Sequence, residues 1–457
     1  MSPTDRTSPA TRTSPAAHPP SATRVAPPAP PAVPRPANDH VSTTARVPAA
    51  GHGAPAARTP SPDRVPPSDA RGPLRVAIVT ESFLPQVNGV TNSVCRVADL
   101  LAARGHEALV LAPGTGPSSY AGFPVVRLPS VPLPFYRDFS VGLPARRVMT
   151  AAIRAFSPDV LHLASPALLG AAAVETARRW ALPTVAVFQT DLPGFAGRYR
   201  LPGGDTLWSL LRRTHAAVDR TLAPSSATME ALSARGFPRL DLWRRGVDAQ
   251  RFSPVHRDEE LRRRIAPGGE TIVGYVGRLA RDKRVEMLEH VSRLRGIRLV
   301  VVGDGPEQAR LRRRLPDAVF TGQRTGGDLS RLYASMDVFV HTGADETFCQ
   351  AVQEALASGV PVVAPASGGP LDLVVPEHNG LLYAPDSVRE LRVAVGRLAH
   401  NRQVRERMAR GARPSVEHRT WEAVGEQLLD HYRSVIASSA ELAAREAGVG
   451  GAPSGLG

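Results

Sequence analysis

The chain has 457 residues, 42% of them hydrophobic and 5% aromatic, and a formal net charge of +14. That length and apolar fraction allow two ordinary domains with cores of their own. The positive balance points to an anionic partner, while the sparse aromatics argue against a base-stacking nucleic-acid surface. Two cysteines, Cys95 and Cys349, offer neither a disulfide framework nor a zinc spacing, and both fall where helices are expected. With no run of 18 apolar residues and no apolar segment near the start, neither a bilayer-spanning helix nor a secretory signal is expected.

Residues 1–72 hold 17 of the 44 prolines and almost no large apolar side chains. Such a segment cannot bury enough surface to offset its ordering entropy, so it is expected to be a disordered tail. The pattern then changes abruptly. "LRVAIVT" is a continuous apolar strand, "ESFLPQVNG" a loop, Val90 to Ala103 an apolar-periodic helix, and "EALVLAP" the next strand. This is a βαβ unit with a parallel sheet. "DVLHLA", "PTVAVFQ" and "RTLAPS" continue it, giving a first domain over 73–248. A second βα series, "TIVGYVG", "IRLVVVGDG", "AVFTG", "DVFVHTG", "VPVVAPA" and "GLLYAP", fills 249–415, with the joint near "RRGVDAQRFSP". The expected fold is α/β, two facing doubly wound parallel-sheet domains of Rossmann type. A last helix over 416–440, with Trp421, Val424, Leu428, Leu429 and Tyr432 at helical spacing, should cross back to the first domain, and 441–457 reads as a second loose tail.

Two open sheets facing one another bind ligands between the carboxyl ends of their strands, so the informative residues are those just after strands. Gly89 precedes a helix after the first strand, where bare backbone can approach an anion and free N–H groups attract it; a plain turn glycine is the other reading. Arg278 follows "TIVGYVG" directly, and Lys283, the only lysine beside 55 arginines, comes five residues on, at the expected start of a helix from about 284. A planar fork and a compact point charge after one strand suit a diphosphate. In "HTGADETFCQAVQEALASG", His341 ends a strand, Glu346 lies in the loop and Glu354 about two turns into the following helix, which should start near Phe348. Two carboxylates lining one pocket, beside backbone N–H groups of 347–349, suit sugar hydroxyls.

These motifs resemble those of the retaining GT-B glycosyltransferases of family 4. "DETFCQAVQEALASGVPVVA" looks like the family's E-x7-E segment and "YVGRLARDKRVEML" like its Arg…Lys segment, with the resemblance running over roughly 75–435. "ESFLPQVNGVTNSV" and "FQTDLPGFA" are closer to lipid glycosyltransferases, especially actinobacterial GDP-mannose-dependent α-mannosyltransferases, with sulfoquinovosyl-diacylglycerol synthases a related branch. The resemblance implies that Gly89, Arg278 and Lys283 meet the donor diphosphate. It implies that Glu346 holds the donor sugar, with backbone contacts from Thr347, Phe348 and Cys349, and that Glu354 holds the ribose. It implies no metal and no cofactor beyond the sugar-nucleotide substrate. Where many relatives have His, this chain has Gln189, which can hydrogen-bond but not titrate. Asp191, two further on, is the nearer candidate for the acceptor hydroxyl, and His162 reads as a structural histidine.

On the first domain, Phe135, Tyr136, Arg137, Phe195, Arg198, Tyr199, Arg200, Trp208, Arg212 and Arg213 mix aromatic rings with arginines. Such a surface can lie on an anionic leaflet. The expected function is therefore transfer of a hexose, foremost mannose from GDP-mannose, with retention to a lipid or glycolipid acceptor. The expected place is the cytoplasm, peripheral on the inner face of the cell membrane. The alternatives are a UDP-sugar-dependent glucosyl-, sulfoquinovosyl- or N-acetylglucosaminyltransferase, a phosphatidylinositol mannosyltransferase or, outside the class, a basic nucleic-acid-binding protein.

Overall fold

Strand β1 (Arg75–Thr80) is buried along nearly its whole length, with parallel neighbours on both sides. A fully covered parallel strand needs apolar residues on both faces, which is why its sequence runs apolar rather than alternating. Ile78 and Val76 pack in one core and Ala77 and Val79 in another, the two-residue period of a strand between two helical layers.

The computed structural model describes residues 72–449 apart from 87, 134–135 and 199–203, with backbone alone at 132–133, 136–140, 195–196, 198 and 446–449. The expected tail at 1–71, residues 450–457, Phe135, Tyr199 and Arg200 lie outside the described residues, as do the side chains of Tyr136, Arg137, Phe195 and Arg198.

The first sheet continues with β2 (Glu107–Pro113), β3 (Ser119–Tyr120) and β4 (Phe123–Leu128). A two-stranded hairpin, β5 (Ser130–Leu133) and β6 (Tyr136–Gly142), precedes β7 (Val160–Ala164), β8 (Thr184–Val187), β9 (Arg220–Ala223) and β10 (Leu240–Leu242). The order is β10-β9-β8-β7-β1-β2-β4-β3, parallel except for the short β3. The second sheet holds β11 (Thr271–Val276), β12 (Ile297–Val302), β13 (Val319–Gly322), β14 (Val338–Val340), β15 (Val362–Pro365) and β16 (Gly380–Tyr383). Its order is β13-β12-β11-β14-β15-β16, all parallel. Each order reverses direction once, between β1 and β7 and between β11 and β14. Those reversals open the crevices where α/β sheets bind ligands.

The last helix, Trp421–Val449, places Val424, Leu428, Leu429, Tyr432 and Val435 in the same core as Val76 and Ile78. Trp243 Nε1 donates to Val424 O at 2.9 Å, and Tyr432 Oη lies 2.7 Å from His162 Nδ1. His162 is thus a buried, partnered structural histidine. Three expectations change. Residues 441–449 continue the helix, because "ELAAREA" is rich in strong helix formers. Lys283 ends a 3₁₀ turn, Arg281–Lys283, and Arg284 at φ 50° blocks direct continuation into the helix Leu288–Ser292. The helix after the Glu346 loop starts at Gln350, two residues later than the apolar pattern suggests, with Cys349 ahead of it at φ 79°.

Candidate active site

Arg278 Nη2 donates to both oxygens of Asp282, at 2.6 and 2.7 Å. Lys283 Nζ donates to Glu346 Oε1 at 2.7 Å and lies 3.7 Å from Asp282 Oδ2. The loops after β11 and β14 are tied by Thr342 Oγ1, which donates to Lys283 O at 2.6 Å. Charges therefore run Arg278, Asp282, Lys283, Glu346 along the carboxyl ends of the two central strands. Lys283 and Glu346 keep 25% and 17% of their side chains exposed, so the pair faces solvent enough to be reached by a ligand.

Glu346 sits in a loop held from behind. Gly369 N donates to Glu346 O at 2.8 Å and Ser367 Oγ to Ala344 O at 2.7 Å. A Cβ at Gly368 would stand 2.3 Å from Glu346 O and one at Gly369 1.8 Å from Phe348 O, so only glycine lets these two loops touch. Cys349, buried and in the left-handed region, carries the backbone strain of the turn into the helix. Burial alone would raise the Glu346 carboxyl, but Lys283 and His341 beside it hold it well below the usual carboxylate range. Burial works against the Lys283 ammonium in turn, and Glu346 and Asp282 outweigh it, so the lysine stays charged.

Glu354 lies on the helix Gln350–Ala357, half-buried. Burial pushes its carboxyl up to about 7, with Arg251 and Arg96 among the groups opposing that rise. The same helix reaches the interdomain joint: Gln350 Nε2 donates to Gly246 O and Gln353 Nε2 to Arg245 O, both at 3.1 Å.

On the facing domain, Gly89 opens the helix Gly89–Ala103, with Asn88 Oδ1 accepting from Val90 N and Thr91 N at 3.0 Å. A Cβ at Gly89 would meet only Arg245 Nη1, at 3.8 Å, so no protein contact demands glycine there. A bare backbone is what close approach of a ligand to this helix start needs. Arg245 is buried and donates to Gly89 O at 2.8 Å and Gln189 Oε1 at 2.5 Å. Burial lowers its guanidinium to about 10, which leaves it charged at neutral pH. Gln189 Nε2 is buried and has no hydrogen-bond partner among the described residues. Thr347 Oγ1 donates to Gln189 O at 2.9 Å, which sets Gln189 against the Glu346 loop. Asp191 Oδ1 accepts from Gly194 N at 2.9 Å and caps the helix Leu192–Arg198.

The structure thus brings Lys283 against Glu346, Thr347 against Gln189 and, through Arg245, Gln189 against Gly89. Missing from the candidates named from the sequence were Asp282, Arg245, His341 as more than a strand end, and the Gly368–Gly369 pair. Arg245 was hidden by the abundance of arginine. Asp282 had a signal in its position between Arg278 and Lys283. Trp208 has a packing role as well. It stacks on Phe188 with centroids 6.3 Å apart and rings 5° from parallel, and Arg235 covers it at 4.5 Å. It is half-buried against the Phe188 cluster, while Arg212 and Arg213 are exposed.

A family model for glycosyltransferase family 4 matches residues 87–251, and one for glycosyl transferases group 1 matches 256–414. A GDP-mannose-dependent alpha-mannosyltransferase of Mycobacterium tuberculosis is 53% identical over 79% of this chain and 97% of its own. The chain belongs to glycosyltransferase family 4. A GDP-mannose-dependent alpha-mannosyltransferase of Corynebacterium glutamicum is 46% identical over 80% of this chain and 90% of its own. In solved structures, the glycosyltransferase resembles Anabaena HepE in complex with UDP, with a TM-score of 0.65 and 19% identity over 79% of this chain and all of that one. The fold is GT-B, the protein is an enzyme, and its donor class is a nucleotide sugar. Among the described residues, no helix is long and apolar enough to cross a membrane.

Proposed function

We propose that this enzyme transfers mannose from GDP-mannose, with retention, to a hydroxyl of a lipid or glycolipid acceptor. The observation that carries the reading is the Lys283–Glu346 contact at 2.7 Å, flanked by Arg278 and Asp282 and faced by the Gly89 helix start. In the donor-free enzyme, Asp282 and Glu346 hold the two cations in place. A diphosphate arriving between the domains takes over both, and Glu346 is freed to accept from sugar hydroxyls while Glu354 accepts from the ribose. The bond from the anomeric carbon to the diphosphate oxygen breaks, and the acceptor oxygen bonds to that carbon from the same face. The acceptor's proton goes to the leaving phosphate oxygen, giving GDP and an α-mannoside. Arg278, Lys283 and the helix start stabilise the charge that develops on the leaving group, so the reaction needs no metal ion. Gln189 Nε2, without a hydrogen-bond partner among the described residues, orients the transferred sugar. Asp191, whose Oδ1 accepts from Gly194 N, is the candidate to meet the acceptor hydroxyl.

Support for a lipid acceptor comes from the outer face of the first domain. A groove of about 480 Å³ between the helices Leu168–Arg179 and Gly204–Ala216 is lined by Val174 and Leu210 together with Arg178, Arg179 and Arg213. Exposed Leu143 and Val148 flank exposed Arg146 and Arg147. Each arginine near an anionic leaflet is worth about 1 kcal/mol, so the enzyme works peripherally on the inner face of the membrane.

Thermal unfolding with a panel of GDP- and UDP-sugars tests the donor. A ligand that binds the native state at 100 times its Kd adds about 2.7 kcal/mol of stability. GDP-mannose is expected to raise the Tm, and a rise with UDP-glucose instead would replace the donor in this reading. No shift with any of them would remove the transferase assignment of the cleft.

A further inference from the structure

We propose that His341, Glu346 and Cys349 form a site for a soft divalent cation such as Zn²⁺, and that the bound ion excludes the sugar-nucleotide donor. One ligand atom from each of the three residues lies within 4.8 Å of the other two. They come from the end of β14, the loop after it and the residue before the following helix, so no C-x-x-C or H-x-x-x-H spacing announces them. A nitrogen, a sulfur and an oxygen are the donor set zinc prefers.

His341 is the second observation. It is 3% exposed, yet neither of its ring nitrogens has a hydrogen-bond partner among the described residues. Nε2 lies 3.3 Å from Glu346 Oε1 without the geometry of a hydrogen bond. That long contact offsets only part of the cost of burying the imidazole, so a better-placed partner would be favoured. There is room for that partner. A Cβ at Gly343 would stand 3.1 Å from His341 Nε2 and 3.2 Å from Glu346 Oε1, so the missing methyl leaves a space touching both ligand atoms. Gly343 does not need glycine for its backbone, since its φ is not positive.

Around a tetrahedral Zn²⁺ with bonds of 2.0 to 2.3 Å, ligand atoms stand about 3.3–3.8 Å apart. The cluster therefore has to contract by about 1–1.5 Å at most, and the strained Cys349 turn is the part that can move. On binding, the Cys349 S–H bond breaks and its electron pair forms the metal–sulfur bond, the His341 ring gives up the proton on the nitrogen that ligates, and both protons leave to solvent. Thiolate and carboxylate then balance the ion's two charges. Lys283 opposes the ion and has to swing off Glu346, with Asp282 3.7 Å away as its remaining partner. Water from the cleft fills the fourth position. The ion thus takes over the carboxylate that the donor sugar needs, so the site is inhibitory rather than catalytic. That last step rests on the donor reading given above.

Cobalt(II) is the probe, because a thiolate ligand gives it an intense near-ultraviolet charge-transfer band. Full-length metal-free enzyme is expected to bind one equivalent with that band. Cys349→Ser should abolish the band, and Cys95→Ser should leave it unchanged. His341→Ala and Gly343→Ala should each weaken cobalt binding at least tenfold, and Gly343→Ala keeps the test alive if the Cys349 variant does not fold. Adding GDP-mannose should raise the apparent cobalt Kd in proportion to its concentration. Absence of the band, or a band that survives Cys349→Ser, overturns the metal site. A band present with donor bound at the same time, the donor followed by its own thermal shift, overturns the exclusion. If GDP-mannose gives no shift at all, the donor reading fails while the band still decides the metal site.

Discussion

Lys283 shows why one lysine persists in an arginine-rich chain. Its Nζ is a single point shared by Glu346 Oε1 at 2.7 Å and Asp282 Oδ2 at 3.7 Å, while its own carbonyl is held by Thr342. A guanidinium keeps the charge but presents a rigid planar fork where a compact cation has to pass from carboxylate to phosphate. Lys283→Arg should therefore lower kcat more than KM, and Lys283→Ala should lower kcat by about 10²–10³ fold, the cost of one missing transition-state donor. Lys283→Ala also leaves Glu346 with His341, 3.3 Å away, as its neighbouring cation. Because Lys283 and Glu346 are both partly exposed, the expected loss of stability is about 1–2 kcal/mol, below the value for a fully buried pair. Steady-state kinetics and thermal unfolding of the same variants separate the two effects. Glu354 gives a pH prediction. Burial raises its carboxyl to about 7 in the folded enzyme, so the folded state binds the proton more firmly than the unfolded one. Its contribution to stability is complete below the ordinary carboxyl range and is lost as pH rises through about 7. Ribose binding needs the carboxylate, so donor affinity should rise with pH and level off above that value. Glu354→Gln should bind donor more weakly and flatten both profiles, as calorimetry at several pH values would register.

At the level of elements, Arg245 joins three of them. It holds the first turn of the helix Gly89–Ala103 through Gly89 O and the residue after β8 through Gln189 Oε1, while its own carbonyl accepts from Gln353 on the helix Gln350–Ala357. Arg245 touches no reacting atom in this reading, so it is a positioning residue for Gln189 and the phosphate-facing helix start. Arg245→Ala leaves the buried Gln189 Oε1 without its donor, at a cost of about 1–3 kcal/mol, while water can replace the arginine at the exposed Gly89 O. Arg245→Lys restores the charge but can satisfy only one of them well. Its kcat should fall about tenfold or more with KM little changed, an asymmetry that a purely destabilising change would not produce. Two elements were not legible beforehand for identifiable reasons. The 3₁₀ turns around Lys283 depend on Arg284, whose side chain pairs with Asp386, 102 residues away. The late start of the helix at Gln350 depends on Gly368 and Gly369 pressing on the loop before it.

At the scale of the molecule, the chain crosses between its two α/β halves twice. Val247 pairs with Thr420 in an isolated parallel bridge where the crossings meet, and a Cβ at Gly246 would strike the Trp421 backbone at 2.6 Å. Beyond that point the helix Trp421–Val449 completes the core of the half in which the chain began. Tyr432→Phe removes the partner of His162 Nδ1 deep in that core. It should cost about 1–3 kcal/mol and lower the Tm while leaving kcat and KM near their starting values. Across the cleft, Asp372 accepts from Ser226 N at 3.0 Å and pairs with Arg244 at 3.2 Å. These partly exposed contacts suit a seam that opens and recloses around a donor.

The sequence by itself determined the two parallel sheets, the returning helix and most of the cleft. Continuous apolar strands and helical periodicity are local signals, and a ligand site at strand ends follows from topology. The charged residues at those ends were legible because their spacing is short. Only the tertiary structure decided which charge faces which. Lys283 meets Glu346 across 63 residues, Arg245 meets Gly89 across 156, and Trp208 stacks on Phe188. Such pairings depend on how two sheets and a helix come together in space, and no period in the chain encodes them.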